Sequence, residues 1–256
     1  MHPRQRKIVQ MVGAHGRLSV GALAQAVGVS LVTIRHDLQA LHQRGELFRV
    51  HGGAVALQSH ALRAGLQRRY AAKQGIAGYA ASLVRDGDTL YLDGCSISLA
   101  LIDALHARRG LTIVTTHPDI AERLKQSEHQ AMIVGGLRQT RNDARIGAFT
   151  CSCLSQLRFQ RAFLGIGGWH WQSGFTEPDP QSCAVKNVVA AHSDEVVLLA
   201  DSSRFGRTHP HALAPADAAV TRVITDTRLS PKYRQYFARR AIRLNVINVP
   251  EAVSGD

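Results

Sequence analysis

Long apolar runs and paired metal-binding cysteines are both missing from this chain of 256 residues. It has no stretch of about 18 apolar residues, so we expect no membrane-spanning helix. The charged first residues are not followed by an apolar segment, so we expect no secretory signal and a cytoplasmic location. Among four cysteines, only Cys151 and Cys153 form a C-x-C pair, which favours reduced thiols over a zinc site. The sequence therefore predicts a protein without a bound metal or cofactor.

Acidic residues are scarce in the first quarter of the chain. The whole sequence carries a formal charge of +12, with 31 Lys and Arg against 19 Asp and Glu. The first 70 residues contain ten of those bases and only two acids, Asp37 and Glu46. This asymmetry indicates a polyanionic partner for the N-terminal segment. A basic surface that is merely solvated would give the same count, so the charge alone does not decide between the two.

Residues 30–43 have the pattern of a helix with one apolar and one polar face. Ser30 is a typical N-cap residue, because its hydroxyl accepts a hydrogen bond from a backbone N–H of the first turn. The spacing predicts one buried stripe, made of Ile34, Leu38 and Leu41. Thr33, Arg35 and His36 fall on the opposite face. A helix of this kind fits the major groove of DNA.

Two more helices precede this one, and a hairpin follows it. Apolar spacing predicts helices over residues 4–15 and 20–27, the second capped by Ser19, and Gly28 provides the tight turn before the third helix. Residues 46–55 alternate between apolar and polar types, which predicts a two-stranded wing. The order is typical of a winged helix-turn-helix domain. Three short helices and a hairpin are also compatible with a small domain that binds nothing.

The first domain is expected to span residues 1–56 and to bind double-stranded DNA. Arg35 is the expected base-reading residue, because a guanidinium group can pair with guanine O6 and N7. Arg6, Lys7, Arg17 and Arg49 are expected to contact backbone phosphates. The candidate DNA-contacting residues are Arg6, Lys7, Arg17, Ser19, Ser30, Val32, Thr33, Arg35, His36, Arg49 and His51.

Residues 57–70 are polar and basic and are expected to link this domain to a second one, residues 71–256. In the second domain, short apolar segments alternate with helical patterns, which predicts an α/β fold with a mostly parallel sheet. The expected strands span residues 89–92, 112–115, 131–134, 161–166, 196–200, 220–224 and 243–249. The expected helices span residues 75–84, 98–107, 118–125, 148–157, 183–192 and 231–241.

Loops rich in glycine, serine and threonine follow several of these strands. Ligands in parallel α/β folds bind outside the carboxyl ends of the strands, and exposed N–H and hydroxyl groups there favour an anion such as phosphate. Arg138, Lys186 and Arg204 would add positive charge, and Asp93 and Asp201 would accept hydrogen bonds from sugar hydroxyls. The candidate effector-binding residues are Asp93, Gly94, Ser96, Thr115, Thr116, Gly135, Gly136, Arg138, Lys186, Asp201 and Arg204.

Glycines in these loops also have simpler interpretations. About half of them are explained equally well as ordinary tight turns. Residues 165–168 contain three glycines, but they lack the spacing of a dinucleotide-binding motif and come late in the domain. We therefore do not expect a dinucleotide cofactor.

The segment Ser30–Leu38, with Arg4 and Ile8 before it and residues 49–53 after it, resembles the DeoR family of bacterial sugar-metabolism repressors. The resemblance covers nearly the whole chain and continues at residues 163–168, 174–176, 186, 198–206 and 223–226. It implies a winged helix-turn-helix domain and an effector domain similar in fold to sugar-phosphate isomerases and coenzyme A transferases, with a phosphorylated sugar as inducer. By position it implies the effector-binding residues Asp93, Ser96, Thr115, Gly135, Gly136, Lys186, Asp201 and Arg204.

The chain departs from the family pattern at several of these positions. His36 stands where the family usually has Arg or Lys, and residues 94–97 keep only one hydroxyl in register, at Ser96. His117 replaces an asparagine, and residues 165–168 lack the family's carboxylate. A lysine would also be usual at position 204. A lost carboxylate and a lost hydroxyl change the hydrogen bonding to a ligand, so another anion than the usual sugar phosphate is possible.

Three functions are compatible with this sequence. The first is a DNA-binding repressor controlled by a phosphorylated metabolite. The second is a sugar-phosphate isomerase-like enzyme with a basic appendage, but that chemistry needs a positioned carboxylate base. The acids near the loops form no obvious pair; they are Asp93, Asp143, Glu177, Asp179 and Asp201. The third is an architectural DNA binder without a ligand.

A regulator of this kind is expected to be a homo-oligomer, either a dimer or a tetramer. One winged domain alone buries only about 600–1,000 Å² on DNA, which is little for tight binding to an operator. Two or more recognition helices on repeated half-sites would supply the rest. The sequence predicts that the α/β domain mediates this self-association.

Overall fold

The computed structural model describes residues 2–15, 17–44, 46–55, 62, 65–66, 69–125, 127–140, 142–213, 220–239 and 242–248. The chain divides into two compact units, formed chiefly by residues 1–68 and by residues 69–256. Most of the expected linker, residues 57–70, lies outside the described residues. None of the described helices is long and apolar enough to cross a membrane.

Residues 2–55 of the N-terminal unit, as far as the structure describes them, contain three helices and three short strands. In chain order, they are α1 (Pro3–His15), β1 (Arg17–Ser19), α2 (Val20–Val27), α3 (Leu31–Gln43), β2 (Phe48–Val50) and β3 (Gly53–Val55). The strands form an antiparallel sheet in the order β1-β3-β2. The core is apolar and consists of Ile8, Val12, Leu23, Ile34, Leu38, Leu41, Leu47 and Ala54. This confirms the winged helix-turn-helix prediction, with α3 as its third helix.

Local signals set the bounds of α2 and α3. The Ser19 hydroxyl accepts a hydrogen bond from the Ala22 backbone N–H at 3.1 Å, and the Ser30 hydroxyl accepts one from the Thr33 N–H at 3.1 Å. Gly28 has φ of 76°, a left-handed conformation that glycine adopts without strain. The sequence analysis missed β1, because three residues are too few to show a period and their pairing partner lies far along the chain.

The second unit is built on a seven-stranded sheet with every pairing parallel. The strands follow the order β15-β14-β12-β9-β4-β5-β6. They are β4 (Thr89–Leu92), β5 (Thr112–Thr115), β6 (Gln130–Ile133), β9 (Phe159–Gly165), β12 (Ser193–Leu199), β14 (Arg222–Asp226) and β15 (Arg243–Ile247). All seven expected strands are present, which confirms the parallel α/β prediction.

Six α-helices accompany these strands in the described part of the unit. They are α4 (Tyr70–Ser82), α5 (Ser96–Ala104), α6 (Pro118–Leu124), α7 (Ala148–Leu154), α8 (Pro180–Ala191) and α9 (Pro231–Ala238). Helix α4 begins five residues before the predicted start at Gly75, so Lys73 lies inside it. Helix α8 begins at Pro180, because Asp179 caps it by accepting a hydrogen bond from the Ser182 N–H at 2.7 Å.

Short antiparallel strands that the sequence did not predict complete the unit. They are β7 (Leu137–Arg138), β8 (Arg145–Ile146), β10 (Gly168–His170), β11 (Gly174–Glu177) and β13 (His211–Ala212). Trp169, on β10, is fully buried among aromatic side chains of β11 and α9, including Phe175, Tyr233 and Phe237. Trp171 lies nearby but is 45% exposed, and the Lys232 ammonium is 5.2 Å from its ring centre.

Candidate functional site

Helix α3 presents an exposed face that combines apolar and basic side chains. Val32 is 71% exposed, and Arg35 and His36 are exposed beside it. In the described part of the chain, neither Arg35 nor His36 has a side-chain hydrogen bond or an ion pair. Ile34, on the opposite face, is completely buried. The helix is therefore anchored by its apolar stripe, and its basic side chains are available to a partner.

Asp37 anchors the same helix through a buried ion pair. Its carboxylate accepts hydrogen bonds from Arg4 Nε at 2.6 Å, from Arg4 Nη2 at 3.2 Å and from Gln5 Nε2 at 2.9 Å. Burial alone would raise the pKa of Asp37, but the hydrogen bonds from Arg4 and Gln5 outweigh burial and hold this pKa below its usual value. Asp37 thus ties α3 to α1 and holds Arg4 in place.

The other basic candidates of this unit differ in their surroundings. Arg6 and His51 are exposed. Lys7 donates a hydrogen bond to the Ala26 carbonyl oxygen at 3.2 Å, and Arg49 Nη1 donates one to Gln39 Oε1 at 2.6 Å. The second bond connects the wing to the exposed face of α3. The side chain of Arg17 lies outside the described part of the chain.

Two of the predicted polar residues in this unit have a structural role as helix caps. Ser19 and Ser30 are both helix caps, and the Ser30 hydroxyl is also 2.8 Å from the Thr33 hydroxyl.

Gln39, which binds Arg49, was not among the predicted residues. The sequence could have identified Gln39 by its spacing. It lies four residues after Arg35, and residues four apart lie on the same face of a helix.

The second candidate site lies at the carboxyl edge of the seven-stranded sheet and is centred on Lys186. This buried ammonium is 2.6 Å from Glu177 Oε1, 3.1 Å from Asp93 Oδ2 and 2.7 Å from the Gly165 carbonyl oxygen. The two carboxylates also accept backbone hydrogen bonds, Asp93 from the Gly165 N–H and Glu177 from the Gly167 N–H, both at 2.9 Å. These five residues join the loops after β4, β9 and β11 with α8.

Lys186 stays charged in this arrangement. Burial alone would lower the pKa of Lys186, but the negative charges of Asp93 and Glu177 outweigh burial and raise this pKa above its usual value. Two carboxylates around one ammonium leave a net charge of −1. Glu177 was not a predicted site residue, and it supplies a carboxylate to the glycine loop that lacks one in sequence.

A second group of charges surrounds Asp201, at the end of β12. Asp201 Oδ1 accepts a hydrogen bond from the Ser203 N–H at 3.0 Å and lies 3.4 Å from Arg69 Nη1. Burial alone would raise the pKa of Asp201, but the hydrogen bonds from Ser203 and the nearby charges of Lys73 and Arg204 outweigh burial and lower this pKa. The Asp226 carboxylate, which accepts a hydrogen bond from the Ser202 N–H at 2.7 Å, is a second negative charge beside Asp201, so three cations face two carboxylates here.

Lys73 links this group to the start of α5. Its Nζ donates a hydrogen bond to the Ser96 hydroxyl at 3.0 Å. Cys95 precedes α5 as its N-cap residue but forms no side-chain cap bond, so the first N–H groups of this nine-residue helix are not capped by that side chain. Neither Lys73 nor Arg69 was predicted. Lys73 occupies a buried position of the stripe that contains Ala72 and Ile76, and a charge in that pattern was the available signal.

Thr115 and Thr116 are buried and form internal hydrogen bonds. The Thr115 hydroxyl donates to the Leu92 carbonyl oxygen at 2.8 Å, and the Thr116 hydroxyl is 3.2 Å from the Tyr91 hydroxyl. His117 caps α6, because its Nδ1 accepts a hydrogen bond from the Asp119 N–H at 3.1 Å. An asparagine side chain at this position could do the same.

Three predicted glycine positions have distinct surroundings. At Gly94, a Cβ atom would lie 2.6 Å from the His117 ring, so the close approach of these loops requires glycine. Gly136 has φ of 148° and lies against Thr150, and Gly135 is exposed. Arg138 is exposed on β7, and the Arg204 guanidinium lies 3.5 Å from the Gly167 carbonyl oxygen. The described residues contain no cluster of three or more His, Cys, Asp and Glu that could hold a metal ion.

Comparisons with known proteins agree with this two-part architecture. A family profile described as "DeoR-like helix-turn-helix domain" matches residues 4–60, and one described as "DeoR C terminal sensor domain" matches residues 68–227. The HTH-type transcriptional regulator FruR of Bacillus subtilis is 33% identical over 82% of this chain and 86% of its own length. The transcriptional repressor AccR of Agrobacterium fabrum is 30% identical over 80% of this chain and 82% of its own.

A more distant archaeal relative and a solved structure extend the comparison. The HTH-type transcriptional regulator GlpR of Haloferax volcanii is 29% identical over 80% of this chain and 82% of its own. Ribose 5-phosphate isomerase A from Neisseria gonorrhoeae has a TM-score of 0.39 and 16% identity over 52% of each chain, a likeness too remote to bear on function. With both family profiles matched in order and regulators related along most of its length, the chain belongs to the DeoR family of DNA-binding transcriptional regulators.

Proposed function

We propose that this regulator represses transcription and releases its operator when a phosphorylated sugar, or a related small anion, occupies the carboxyl edge of the sheet. The observation that carries the DNA-binding part is the exposed face of α3. Val32, Arg35 and His36 project from a helix that Asp37 ties to α1. A short, well-anchored helix with exposed basic residues fits the major groove.

The charges around the sheet edge support a ligand with two different ends. Lys73, Arg69 and Arg204 lie near the carboxylates of Asp201 and Asp226, so three positive charges face two negative ones, and the surplus favours a phosphate. Asp93 and Glu177 surround Lys186 with net negative charge, which favours hydroxyl donors over a second phosphate. A phosphorylated sugar carries both kinds of group. We expect its phosphate at the Lys73 end and its hydroxyls at the Lys186 end.

The same geometry favours binding over catalysis. Proton abstraction from a sugar phosphate needs a carboxylate that is free to accept a proton. Asp93 and Glu177 are both paired with Lys186 and hydrogen-bonded to backbone N–H groups. Asp201 is likewise engaged by Ser203 and Arg69. We therefore propose a sensor site without isomerase activity.

The exposed edge of the sheet supports self-association. All four residues of β6 are exposed, and residues 130–137 contain no charge. Large apolar side chains are exposed on and around this edge; they are Met132, Ile133, Leu137 and Phe149. Edge strands are usually protected by charges or proline. Because the whole chain carries +12, a neutral edge is where a second copy can approach with least repulsion. We propose that β6 pairs there with β6 of a second copy of the chain, across a twofold axis.

Ligand binding and DNA binding must be thermodynamically linked if the ligand is to control the operator. A ligand shifts an equilibrium only by its difference in affinity between two states, so the metabolite must bind better to an arrangement that cannot hold the operator. We propose that residues 56–70 transmit this change between domains 1–56 and 71–256.

Selection from a random duplex library, followed by competition with phosphorylated and unphosphorylated sugars, tests this function. We expect one enriched sequence family, and at least one phosphorylated sugar should weaken its binding about tenfold while the parent sugar has no effect. If no duplex is preferred over bulk competitor, the assignment of α3 as the reading helix is wrong. If an operator emerges but no phosphorylated compound changes its binding, the ligand proposal is wrong and the DNA-binding part stands.

A further inference from the structure

The amino-terminal edge of the seven-stranded sheet contains a cavity that the proposed function does not use. It has a volume of about 670 Å³. Its charged lining residues are Arg85, Arg161, Asp194, Glu195, Arg222 and Arg243. Arg161 and Gly165 are four residues apart on β9, which corresponds to about 13 Å of extended strand. The cavity is therefore separate from the site around Lys186, at the opposite ends of the same strands.

Four neighbouring strands contribute a row of charges to this cavity. Arg161 of β9 is in register with Glu195 of β12, and Arg222 of β14 is in register with Arg243 of β15. Because β9, β12, β14 and β15 are adjacent in the sheet, three arginines and one glutamate lie side by side near the starts of the strands. The sheet itself thus fixes the spacing of these side chains.

Two of the arginines are held rigidly. Arg161 donates to Glu195 Oε2 at 2.8 Å and to Asp88 Oδ2 at 2.6 Å. Arg222 donates to Glu195 Oε1 at 3.0 Å and to Asn245 Oδ1 at 2.9 Å. Glu195 therefore uses both oxygens internally. These bonds use only Nε and Nη1 of each guanidinium, and no residue in the described part of the chain accepts a hydrogen bond from either Nη2 group.

The remaining two arginines are not part of this network. Arg85 and Arg243 are exposed, and within the described residues their side chains form neither hydrogen bonds nor ion pairs. The network already balances in charge, because it contains two arginines, Arg161 and Arg222, and two carboxylates, Glu195 and Asp88. A purely structural network would therefore not need Arg85 and Arg243. Arg85 and Arg243 add two positive charges against the single exposed carboxylate of Asp194. The cavity thus has unsatisfied N–H donors at its base and surplus positive charge at its rim.

We propose that this cavity is a second ligand site, which binds a small organic phosphate independently of the effector site. Guanidinium groups recognise phosphate through pairs of N–H donors. Guanidinium groups that are already held in place by other bonds lose little entropy on binding. A volume of about 670 Å³ lies within the range of cavities that hold small metabolites. The site would let the regulator respond to a second phosphorylated compound.

Calorimetric titration with pyrophosphate and with inorganic phosphate tests this site in the full-length chain. The double variant Arg85→Gln/Arg243→Gln removes the two rim charges, and we expect at least about tenfold weaker binding of pyrophosphate. Arg109→Gln is the matched control, because Arg109 is equally exposed but does not line the cavity, and it should bind like the wild type. Both variants should keep the wild-type melting temperature, since the exchanged side chains form no ion pairs.

A further variant separates this site from the effector site. Lys73→Met removes a cation at the carboxyl edge, and we expect it to leave pyrophosphate binding at the arginine cavity unchanged. Loss of all binding in Lys73→Met, or wild-type binding in the double arginine variant, would overturn the proposal. So would the absence of any heat of binding for wild-type protein at millimolar pyrophosphate. Binding of pyrophosphate but not of inorganic phosphate would favour an organic di- or polyphosphate as the natural ligand.

Discussion

At the scale of single residues, Arg4 and Arg35 carry the same charge in opposite settings. Arg4 is paired with the buried Asp37, and Arg35 is exposed on α3 with no side-chain partner in the described part of the chain. Formal charge alone does not separate these two residues. Their difference follows from helix periodicity, because Arg35 lies on the face opposite Ile34 and Leu38.

Replacing Arg35 should reduce the discrimination between operator and random DNA. We expect Arg35→Ala to lose roughly 1–3 kcal/mol of discrimination, about 5- to 150-fold, because one pair of base contacts is removed. Competitive gel-shift titrations would measure this ratio. Arg6→Ala is the comparison, since loss of a phosphate contact should weaken all duplexes equally and lower the salt slope by about one. An unchanged ratio in Arg35→Ala would contradict the assignment.

Asp37 should make the N-terminal unit sensitive to acid. Its folded pKa is lowered, so its stabilisation is present above the unfolded pKa of about 3.9 and is lost as the pH falls through the folded pKa. We expect Asp37→Asn to lower the free energy of unfolding at pH 7 by about 1–2 kcal/mol, a reduced value because Arg4 is partly exposed. The variant should also show a flatter pH dependence below pH 4.

Urea denaturation of the N-terminal unit at several pH values would measure this effect. Glu46→Gln is the control, because Glu46 is the only other acid in residues 1–68 and has no side-chain partner among the described residues. Equal acid sensitivity of Asp37→Asn and the wild type would show that the pair with Arg4 does not contribute.

Replacing Lys186 should lower the stability of the sensor domain more than it changes DNA binding. Lys186→Met leaves Asp93 and Glu177 buried without their shared cation, so we expect a loss of about 3–5 kcal/mol in the stability of this domain. Scanning calorimetry at pH 7 would measure this loss. A melting temperature equal to that of the wild type would contradict the ion-pair account.

At the scale of elements, the wing and α3 act as one surface. Arg49 on β2 is held by Gln39 on α3, so the position of the wing arginine depends on a residue of that helix. Gln39 has this role only through Arg49. The two side chains are therefore expected to be energetically coupled in DNA binding.

A double-mutant cycle should reveal this coupling. We expect Gln39→Ala to weaken operator binding a few-fold in the wild type and to have almost no effect in an Arg49→Ala background. Gln43→Ala is a suitable control, because this residue is also exposed on α3 and forms no side-chain bond in the described region. Additive effects of the two substitutions would show that Gln39 contacts DNA on its own.

Local sequence signals account for most of the elements but not for the composition of the sensor site. Ser19, Ser30 and Gly28 set helix ends through bonds to near neighbours, so their roles were predictable. Lys73 had a local signal, a charge within an apolar helical stripe, but that signal does not reveal its partner Ser96. Glu177 reaches Lys186 only because the fold brings the end of β11 beside α8, and no pattern within a few residues encodes such a contact. The short strands β10 and β11 were unpredictable for the same reason.

At the scale of the whole molecule, the neutral edge at β6 contrasts with a chain that carries +12. An exposed and uncharged edge strand is an open surface for pairing with another copy. If two copies associate there, each dimer presents two α3 helices to DNA. The expected preference for repeated half-sites would then depend on this edge.

A charge on the β6 edge should separate the copies. We expect Ile133→Lys to shift the protein toward monomers in sedimentation velocity and to weaken operator binding at least about tenfold, because the second half-site no longer contributes. Trp171→Lys is the control, since Trp171 is another exposed apolar side chain of the same domain outside this edge. An unchanged sedimentation coefficient for Ile133→Lys would show that association uses a different surface.

The chain has two tryptophans, and both are on or directly after β10, beside the glycine loop in which the Gly167 N–H donates a hydrogen bond to Glu177. The DNA-binding unit has none, so all intrinsic tryptophan fluorescence comes from the sensor domain. Trp169 is enclosed by aromatic rings and should emit at short wavelength, whereas the half-exposed Trp171 should be accessible to a soluble quencher. The protein thus carries a built-in optical reporter that can follow its sensor domain while DNA is bound, without any attached dye.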